Sequence, residues 1–356
     1  MYVVEIWYNK SQFGGKLMKK NFTCTNISSN NPMCIYISCN EQLEQIPEND
    51  IKLRCYVDDF FIAVKELKSK SKKIKYYVRI RENVTIENYD NLFDVFKELR
   101  DYIRDIDCLE LELSSIVKNR DFEKLITFLQ CVNSNLQFVL KLGNLEVFNV
   151  EQLQLLKKLN SNLDTTIKIN QTYQGKYSEN NEYDNLYTFD DLIKIKKKID
   201  EIIKKIPADY NDVERILFIY KYLGKKIKYD KNIANLNYDE RETHDSNSIY
   251  DVLFENKGVC SSIAVTFRAL MDAIGVDCQV IMSEEHEWNV VKINGYWYHL
   301  DLTCDLYNIK YNTPLNFFLK SEKQMSANEY HQIYTYYAEE NEIAKRSLSL
   351  KKYVNF

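Results

Sequence analysis

The sequence contains little glycine, proline or histidine, and it has no long apolar run. Its 356 residues include 8 glycines, 4 prolines and 4 histidines, and the net charge is −4. Because no run of about 20 apolar residues is present, we expect no membrane partner. Because no basic region stands out, we expect no nucleic-acid partner. The first residues lack the basic start and apolar core of a signal peptide, which predicts a cytoplasmic protein.

Cysteine is present but is not arranged for cross-linking. The chain has 9 cysteines, an odd number, and no two of them form a C-x-x-C pair. This pattern disfavours both a disulfide scaffold and a structural metal site. We therefore predict reduced thiols and no metal ion.

The scarce residue types concentrate in the segment 257–305. It holds three of the 8 glycines, two of the 4 histidines and two of the 3 tryptophans. After Cys260, apolar residues recur at helical spacing up to Gly275, which predicts a helix of about four turns with Cys260 in its first turn. Unpaired N–H groups and the helix dipole at that end favour a thiolate over a thiol.

A hairpin is predicted beyond this helix. Asn294 and Gly295 separate two strand-like runs, His286–Ile293 and Tyr296–Thr303, and Asn-Gly is the strongest short hairpin signal. With a two-residue turn, His286 and Asp301 become diagonal neighbours on one face of the hairpin. A longer turn would shift the register and place them on opposite faces.

Three short motifs resemble the transglutaminase-like superfamily, over roughly residues 190–330. They are G-V-C at 258–260, H-E-W-N at 286–289 and W-Y-H-L-D-L-T-C-D at 297–305. The resemblance implies a papain-like core, with a helix bundle packed on an antiparallel sheet and no cofactor. It also implies Cys260 as nucleophile, His286 as base and acid, and Asp301 as the residue that orients His286. Cys304 departs from the pattern, because bacterial members often have Trp there.

The remaining residues of these types are expected to be structural. We assign the other cysteines, including Cys304, to packing. His244 and His299 are interpreted as hydrogen-bonded bystanders, and Trp288 and Trp297 as core and cleft wall.

The first half of the chain has a different pattern. Strand-like runs begin near Ile74, Cys108, Leu136 and Thr165, with helical patterns between them, some after capping residues such as Asn149. Because apolar and polar residues alternate in these strands, we predict helices on one face only. The fold class is therefore α+β: a βα-repeat layer, leucine-rich-repeat-like or half-barrel-like, followed by the papain-like core. The open face, which would include Glu110 and Glu112, would suit a protein partner or would only be solvated.

These patterns predict four segments. They are a repeat domain at 1–170, a linker at 171–188, a catalytic domain at 189–330 and a helical tail at 331–356. The capping pair Asn211 and Glu214 is expected to begin a helix of the catalytic domain. The predicted function is cysteine-dependent acyl transfer on protein or peptide amides, as a protease, deamidase or transglutaminase. The alternative is a catalytically silent binding or scaffold protein; the presence of all three site residues favours an enzyme.

Overall fold

A computed structural model describes thirteen stretches of the chain, which divide between two compact units. Unit 1 comprises Met1–Lys141 and Leu155–Ile167, and unit 2 comprises Leu142–Gln154 and Lys168–Phe356. None of the helices in the described stretches is long and apolar enough to cross a bilayer. The described residues are 2–3, 25–26, 34–36, 51–56, 74–81, 95–113, 116–132, 136–159, 164–169, 185–236, 248–283, 286–332 and 340–350.

Unit 1 contains a sheet whose strands follow one another in chain order. Strands β3 to β8 lie side by side, and the register is parallel from β3 through β6. A separate antiparallel pair joins β1 to β2. Parallel neighbours in chain order are the arrangement expected of repeated βα units, while the coverage of one face only stays a prediction. The strands are β1 Tyr2–Val3, β2 Thr25–Asn26, β3 Cys34–Tyr36, β4 Ile51–Tyr56, β5 Ile74–Arg81, β6 Ile106–Leu113, β7 Gln137–Leu142 and β8 Asp164–Ile169.

Helices lie between these strands, close to where the sequence predicts them. The first is short and continues as a 3₁₀ helix over Arg100–Asp105. Asn149 caps the third helix. Its side chain accepts from the Gln152 N–H at 2.8 Å, and the Gln152 side chain accepts from the Asn149 N–H. The rings of Phe96 and Phe128 stack 4.7 Å apart and join the first two helices. The helices are α1 Phe96–Leu99, α2 Asn119–Gln130 and α3 Val150–Leu159.

The polar face of β6 is not open to water. Glu110 and Glu112, which alternate with the leucines, are only 2% and 5% exposed. A carboxylate is rarely buried without a partner. The prediction of a solvated face is therefore wrong at these two positions. Alternation of apolar and polar residues along a strand shows which face is polar, but it does not show whether that face is exposed.

Unit 2 contains the helices and strands of the predicted catalytic domain. Strand β9, Asn185–Tyr187, lies inside the segment predicted as linker, so that segment is not all irregular. The other strands are β10 Lys228–Tyr229, β11 Lys257–Gly258, β12 Cys278–Met282, β13 Glu287–Ile293 and β14 Tyr296–Leu300. The α-helices are α4 Phe189–Ile203, α5 Asp212–Gly224, α6 Lys231–Ala234, α7 Cys260–Ala273, α8 Leu302–Lys310 and α9 Glu322–Met325. Asp251–Glu255 is a π-helical turn, and 3₁₀ turns occupy Leu145–Val147, Glu329–His331 and Glu340–Glu342.

Helix α7 is the centre of unit 2. Strands β12, β13 and β14 form an antiparallel sheet in that order. Helix α7 packs against β12 and β13, and helices α4, α5 and α8 contact it as well. Every residue from Cys260 to Met271 is buried. A helix bundle packed on an antiparallel sheet is the core that the family resemblance implies.

The loop 143–147 belongs to unit 2, although the sequence placed it in the repeat domain. Lys196 of α4 donates to the Leu145 carbonyl and to Glu146, both at 2.9 Å. Arg268 of α7 donates to the Gly143 carbonyl at 3.2 Å. Two buried cations thus fix this loop, and local sequence patterns contain no signal for such contacts.

The described residues 340–350 of the C-terminal tail do not form the helix that the sequence predicts for this segment. Within 340–350 the regular structure is one 3₁₀ turn, Glu340–Glu342. Glu342 pairs with Lys292 at 2.5 Å and accepts from the Trp297 indole at 3.3 Å, and Ile343 forms a bridge with Trp297. Tertiary contacts with the hairpin therefore replace helical hydrogen bonds here.

The predicted cap of α5 is present and can be tested. The Asn211 side chain accepts from the Glu214 N–H at 3.1 Å, and Glu214 accepts from the Asn211 N–H at 2.9 Å. We expect Asn211→Ala to lower the free energy of unfolding by about 1 kcal/mol. Asn211→Ser keeps an acceptor and should cost about 0.5 kcal/mol or less. Urea unfolding measures both, and equal losses would contradict the capping role.

Candidate active site

Cys260 is the first residue of α7, as predicted. The chain reaches it through β11, which pairs in parallel with β10. The Asp230 N–H donates to the Gly258 carbonyl at 2.9 Å and fixes the approach. N–H groups in the first turn of a helix have no carbonyl of that helix to bind. Cys260 therefore lies at an end that offers hydrogen-bond donors and a partial positive charge.

Gly258 is needed for space and not for an unusual backbone. The positive-φ glycines among the described residues are Gly275 and Gly295. A Cβ on Gly258 would lie 2.7 Å from Ser262 Oγ and 2.8 Å from Val252 Cγ2. Ser262 Oγ also accepts from the Val259 N–H at 3.2 Å, so it is held in place. The start of α7 is thus tightly packed, and any side chain at 258 would displace it.

The hairpin has the register that the two-residue turn predicts. Ile293 pairs with Tyr296 and Asn289 pairs with Leu300. Asn294 and Gly295 both have positive φ, 51° and 81°. The second strand ends at Leu300, so the prediction that it extends to Thr303 is wrong. Thr303 lies in α8 instead, because the chain turns into that helix at Asp301.

His286 and Asp301 meet at this end of the hairpin. His286 Nε2 lies 2.6 Å from Asp301 Oδ2. Burial opposes protonation of His286, but hydrogen bonds with Asp301, Cys260 and Cys304 and the Asp301 charge raise its pKa overall. The structure thus brings His286 and Asp301 into contact, and the Cys260 side chain is among the groups that raise the pKa of His286.

Asp301 is the most heavily bonded residue of the site. It is 1% exposed, and its Oδ1 accepts from the Cys304 N–H at 2.9 Å, which makes it the N-cap of α8. Its Oδ2 also lies 2.8 Å from His331 Nε2. Burial alone would raise the pKa of Asp301, but the hydrogen bonds from His286 and His331 lower it well below its ordinary value. Asp301 is therefore a buried carboxylate that keeps its charge.

A second buried network supports the backbone of Asp301. The Tyr220 hydroxyl of α5 donates to the Asp301 carbonyl at 2.6 Å and to Asp305 Oδ2 at 2.9 Å. Asp305 also accepts from the N–H groups of Asn316 and Phe317 at 2.9 and 3.0 Å. Burial, together with the two carboxylates, raises the pKa of Tyr220 well above its ordinary value, so it remains a donor.

His331 and Cys304 are members of the site that sequence reasoning missed. His331 is fully buried, and its ring lies 4.7 Å from the Trp288 ring at an interplanar angle of 85°. Cys304 Sγ lies 3.9 Å from His286 Nε2, and burial raises the pKa of Cys304 to about 11. No spacing rule connects residue 331 to the hairpin. The one available signal for Cys304 was its departure from the family pattern.

His299 is a neutral core histidine, as predicted. The Trp288 indole N–H donates to His299 Nδ1 at 3.1 Å, which requires that nitrogen to be unprotonated. Burial and the nearby His331 lower the pKa of His299 to about 3. Trp288 and Trp297 belong to one apolar cluster, with Ile281, Val290 and Met325. The tryptophans are thus part of the core beneath the site.

The low pKa of His299 predicts acid sensitivity. Unfolded His binds a proton below about pH 6.5, whereas folded His299 does so only near pH 3. Between these values the unfolded chain binds more protons, so this residue makes stability rise with pH, by up to about 1.4 kcal/mol per pH unit. Asp272, whose pKa burial raises to about 6, contributes with the opposite sign.

The contribution of His299 can be isolated by comparing the pH dependence of stability in the unchanged protein and in His299→Asn, because Asp272 is present in both. His299→Asn keeps an acceptor for Trp288 but does not titrate. We expect the slope of the free energy of unfolding against pH, from urea curves between about pH 4.5 and 6.5, to be more negative in His299→Asn than in the unchanged protein, because the variant keeps the contribution of Asp272 and loses that of His299. Equal slopes would show that His299 is not buried in its neutral form.

Comparisons with known proteins place part of this chain beside one family. Residues 196–302 match the family model described as the transglutaminase-like superfamily. A crystal structure described as that of a TGase is similar at 18% identity, with a TM-score of 0.30, over 35% of this chain and 35% of that chain. The chain thus spans about a third of the length of that structure. The comparison with curated proteins gave no match. The similarity to this superfamily therefore rests on the match over residues 196–302 and on the motifs around Cys260, His286 and Asp301.

Proposed function

We propose that this protein transfers acyl groups from protein or peptide amides, because residues 196–302 match the model of the transglutaminase-like superfamily. Members of this superfamily are commonly enzymes. Cys260 is the nucleophile, His286 the base and acid, and Asp301 the residue that orients His286. The observation that carries the proposal is the position of His286, whose Nε2 lies 2.6 Å from Asp301 Oδ2 while the Cys260 side chain is among the groups that raise its pKa.

The first half-reaction forms a thioester. The Cys260 thiolate, paired with the His286 imidazolium, attacks the carbonyl carbon of the amide, and a C–S bond forms. N–H groups in the first turn of α7 stabilise the negative charge on the carbonyl oxygen. His286 then protonates the leaving amine as the C–N bond breaks. Asp301 keeps its charge throughout and holds the ring with Nδ1 toward the sulfur.

The second half-reaction returns the thiolate. His286 takes a proton from the acceptor, which attacks the thioester and releases Cys260. Water as acceptor gives hydrolysis, either of a peptide bond or of a side-chain amide, whereas an amine gives a new amide bond. The same three residues support each outcome, so the choice between protease, deamidase and transglutaminase depends on which acceptor reaches the thioester.

A non-catalytic binding role is the second candidate. Cys260 is only 4% exposed, and a substrate must reach its sulfur. His286, with its side chain 11% exposed, is the more accessible of the two residues. A domain that keeps Cys260, His286 and Asp301 but has no open path to the sulfur would bind a partner protein without catalysing a reaction on it.

Alkylation distinguishes these candidates before any substrate is known. An ordinary thiol is only about 0.3% ionised at pH 6, so it reacts slowly with iodoacetamide there. If Cys260 is paired with His286, it should react at least about tenfold faster than the exposed Cys131. Mass spectrometry of peptides gives both rates in one sample, and Cys131 serves as the internal reference.

The variants give the decisive comparison. His286→Ala should reduce labelling of Cys260 to the rate of Cys131 or below, and it should leave Cys131 unchanged. In parallel, a glutamine-rich protein such as casein can be assayed for released ammonia, new peptide ends and incorporated amine. Any such product should disappear in Cys260→Ala. Slow labelling of Cys260 that His286→Ala does not change would favour the binding role.

A further inference from the structure

Four metal-ligating side chains converge beside the triad, and the acyl-transfer mechanism uses only two of them. Among the described residues, ligand atoms of His286, Asp301, Cys304 and His331 lie within 4.8 Å of one another. His286 Nε2 and His331 Nε2 lie 2.6 and 2.8 Å from the same oxygen, Asp301 Oδ2. Cys304 Sγ lies 3.9 Å from His286 Nε2.

The set of donors suits zinc better than the other common metal ions. Two imidazoles, a carboxylate and a thiolate are the usual ligands of tetrahedral zinc, whereas magnesium and calcium prefer all-oxygen sites. With Zn–N and Zn–O near 2.1 Å and Zn–S near 2.3 Å, tetrahedral ligand atoms lie about 3.3 to 3.6 Å apart. The two nitrogen–oxygen distances would have to open by less than about 1 Å, and the widest spacing in the group, at most 4.8 Å, would have to close by up to about 1.2 Å.

The surroundings also fit a bound ion. Asp301 and His331 are almost completely buried, so little water would compete for the ion. Nε2 of His286 is the nitrogen directed at this group, since it lies 2.6 Å from Asp301 Oδ2 and 3.9 Å from Cys304 Sγ. The other three residues lie in two elements: Asp301 and Cys304 at the start of α8, and His331 in the turn Glu329–His331.

We propose that His286, Asp301, Cys304 and His331 bind a zinc ion that inhibits the acyl-transfer site. The inhibitory part of this inference rests on the function proposed above, but the binding part does not. Zinc on Nε2 of His286 replaces the hydrogen bond to Asp301 and prevents the ring from passing a proton between sulfur and amine. The protein is then inactive while zinc is bound and active once zinc is removed. The sequence alone predicted no metal, because these four residues have no recognisable ligand spacing.

Direct binding tests the site without any substrate. The full chain, stripped of metal, is titrated with zinc in competition with a chromogenic chelator. We expect one zinc per chain, and a weakening of at least about tenfold in both Cys304→Ser and His331→Gln, as for loss of even an outer-shell partner. Cys131→Ser, which changes an exposed cysteine, should bind like the unchanged protein. Circular dichroism checks that each variant is folded.

Cobalt provides a measurement that does not depend on affinity. Bound to the unchanged protein, cobalt should give a thiolate-to-metal charge-transfer band, which should be missing in Cys304→Ser. If His331→Gln fails to fold, Cys304→Ser still decides the question. Zinc binding that survives Cys304→Ser but is lost in Cys260→Ser would overturn the proposed site.

Labelling of Cys260 separates the two proposals. Zinc should slow its alkylation, a chelator should restore it, and Cys304→Ser should need at least about tenfold more zinc for the same effect. Zinc binding that depends on Cys304, in a protein whose Cys260 is unreactive with or without zinc, would keep the metal site and reject both the catalytic proposal and its inhibition. If Cys260 is reactive but zinc binding does not depend on Cys304, the catalytic proposal is kept and the metal site is rejected.

Discussion

The charge on one buried carboxylate determines the arrangement of the whole site. An isolated carboxylate in a protein interior costs several kcal/mol, so Asp301 can remain ionised only while its hydrogen bonds persist. Those bonds come from separate parts of the chain: His286 from the start of β13, His331 from the turn after α9, and the Cys304 N–H from α8. Each of these elements is therefore positioned by the need to satisfy the same two oxygens.

Hydrogen bonds of the Asp301 backbone also connect the site to the core of unit 2. Tyr220 of α5 binds the Asp301 carbonyl, and the Asp301 N–H donates to the Phe317 carbonyl at 2.9 Å. Asn289 of β13 donates to the Ala264 carbonyl of α7 at 3.0 Å, which joins the hairpin to the helix that carries Cys260. Loss of charge at Asp301 would therefore disturb both the imidazole and the geometry between sulfur and ring.

Local signals in the sequence were enough to predict much of this arrangement. The Asn-Gly turn sets the hairpin register, and the helical spacing after Cys260 sets the start of α7, because both depend on residues next to one another in the chain. Asp301 is predicted inside the second hairpin strand, and not as a helix cap. The structure uses it as the cap, and the strand accordingly stops at Leu300.

The features that could not be predicted all depend on distant contacts. His331 reaches Asp301 from 30 residues away, and nothing in its neighbourhood distinguishes it from a surface histidine. Burial of Glu110 and Glu112 depends on which residues cover the sheet. The alternation of apolar and polar residues within one strand cannot predict that covering. Cys304 carried a local signal, a departure from the family pattern, but its meaning required knowledge of the imidazole beside it.

The site thus contains more ligating groups than acyl transfer needs, and the protonation of His286 links both proposed roles. Nitrogen NMR of the His286 ring, assigned with His286→Gln, tests this dependence most directly. With Asp301 intact, the ring should stay doubly protonated well above pH 6.5, the ordinary histidine value, and in Asp301→Asn it should lose a proton at a much lower pH. A His286 ring that titrates near its ordinary value in the unchanged protein, and does not respond to Asp301→Asn, would contradict the central role of this carboxylate.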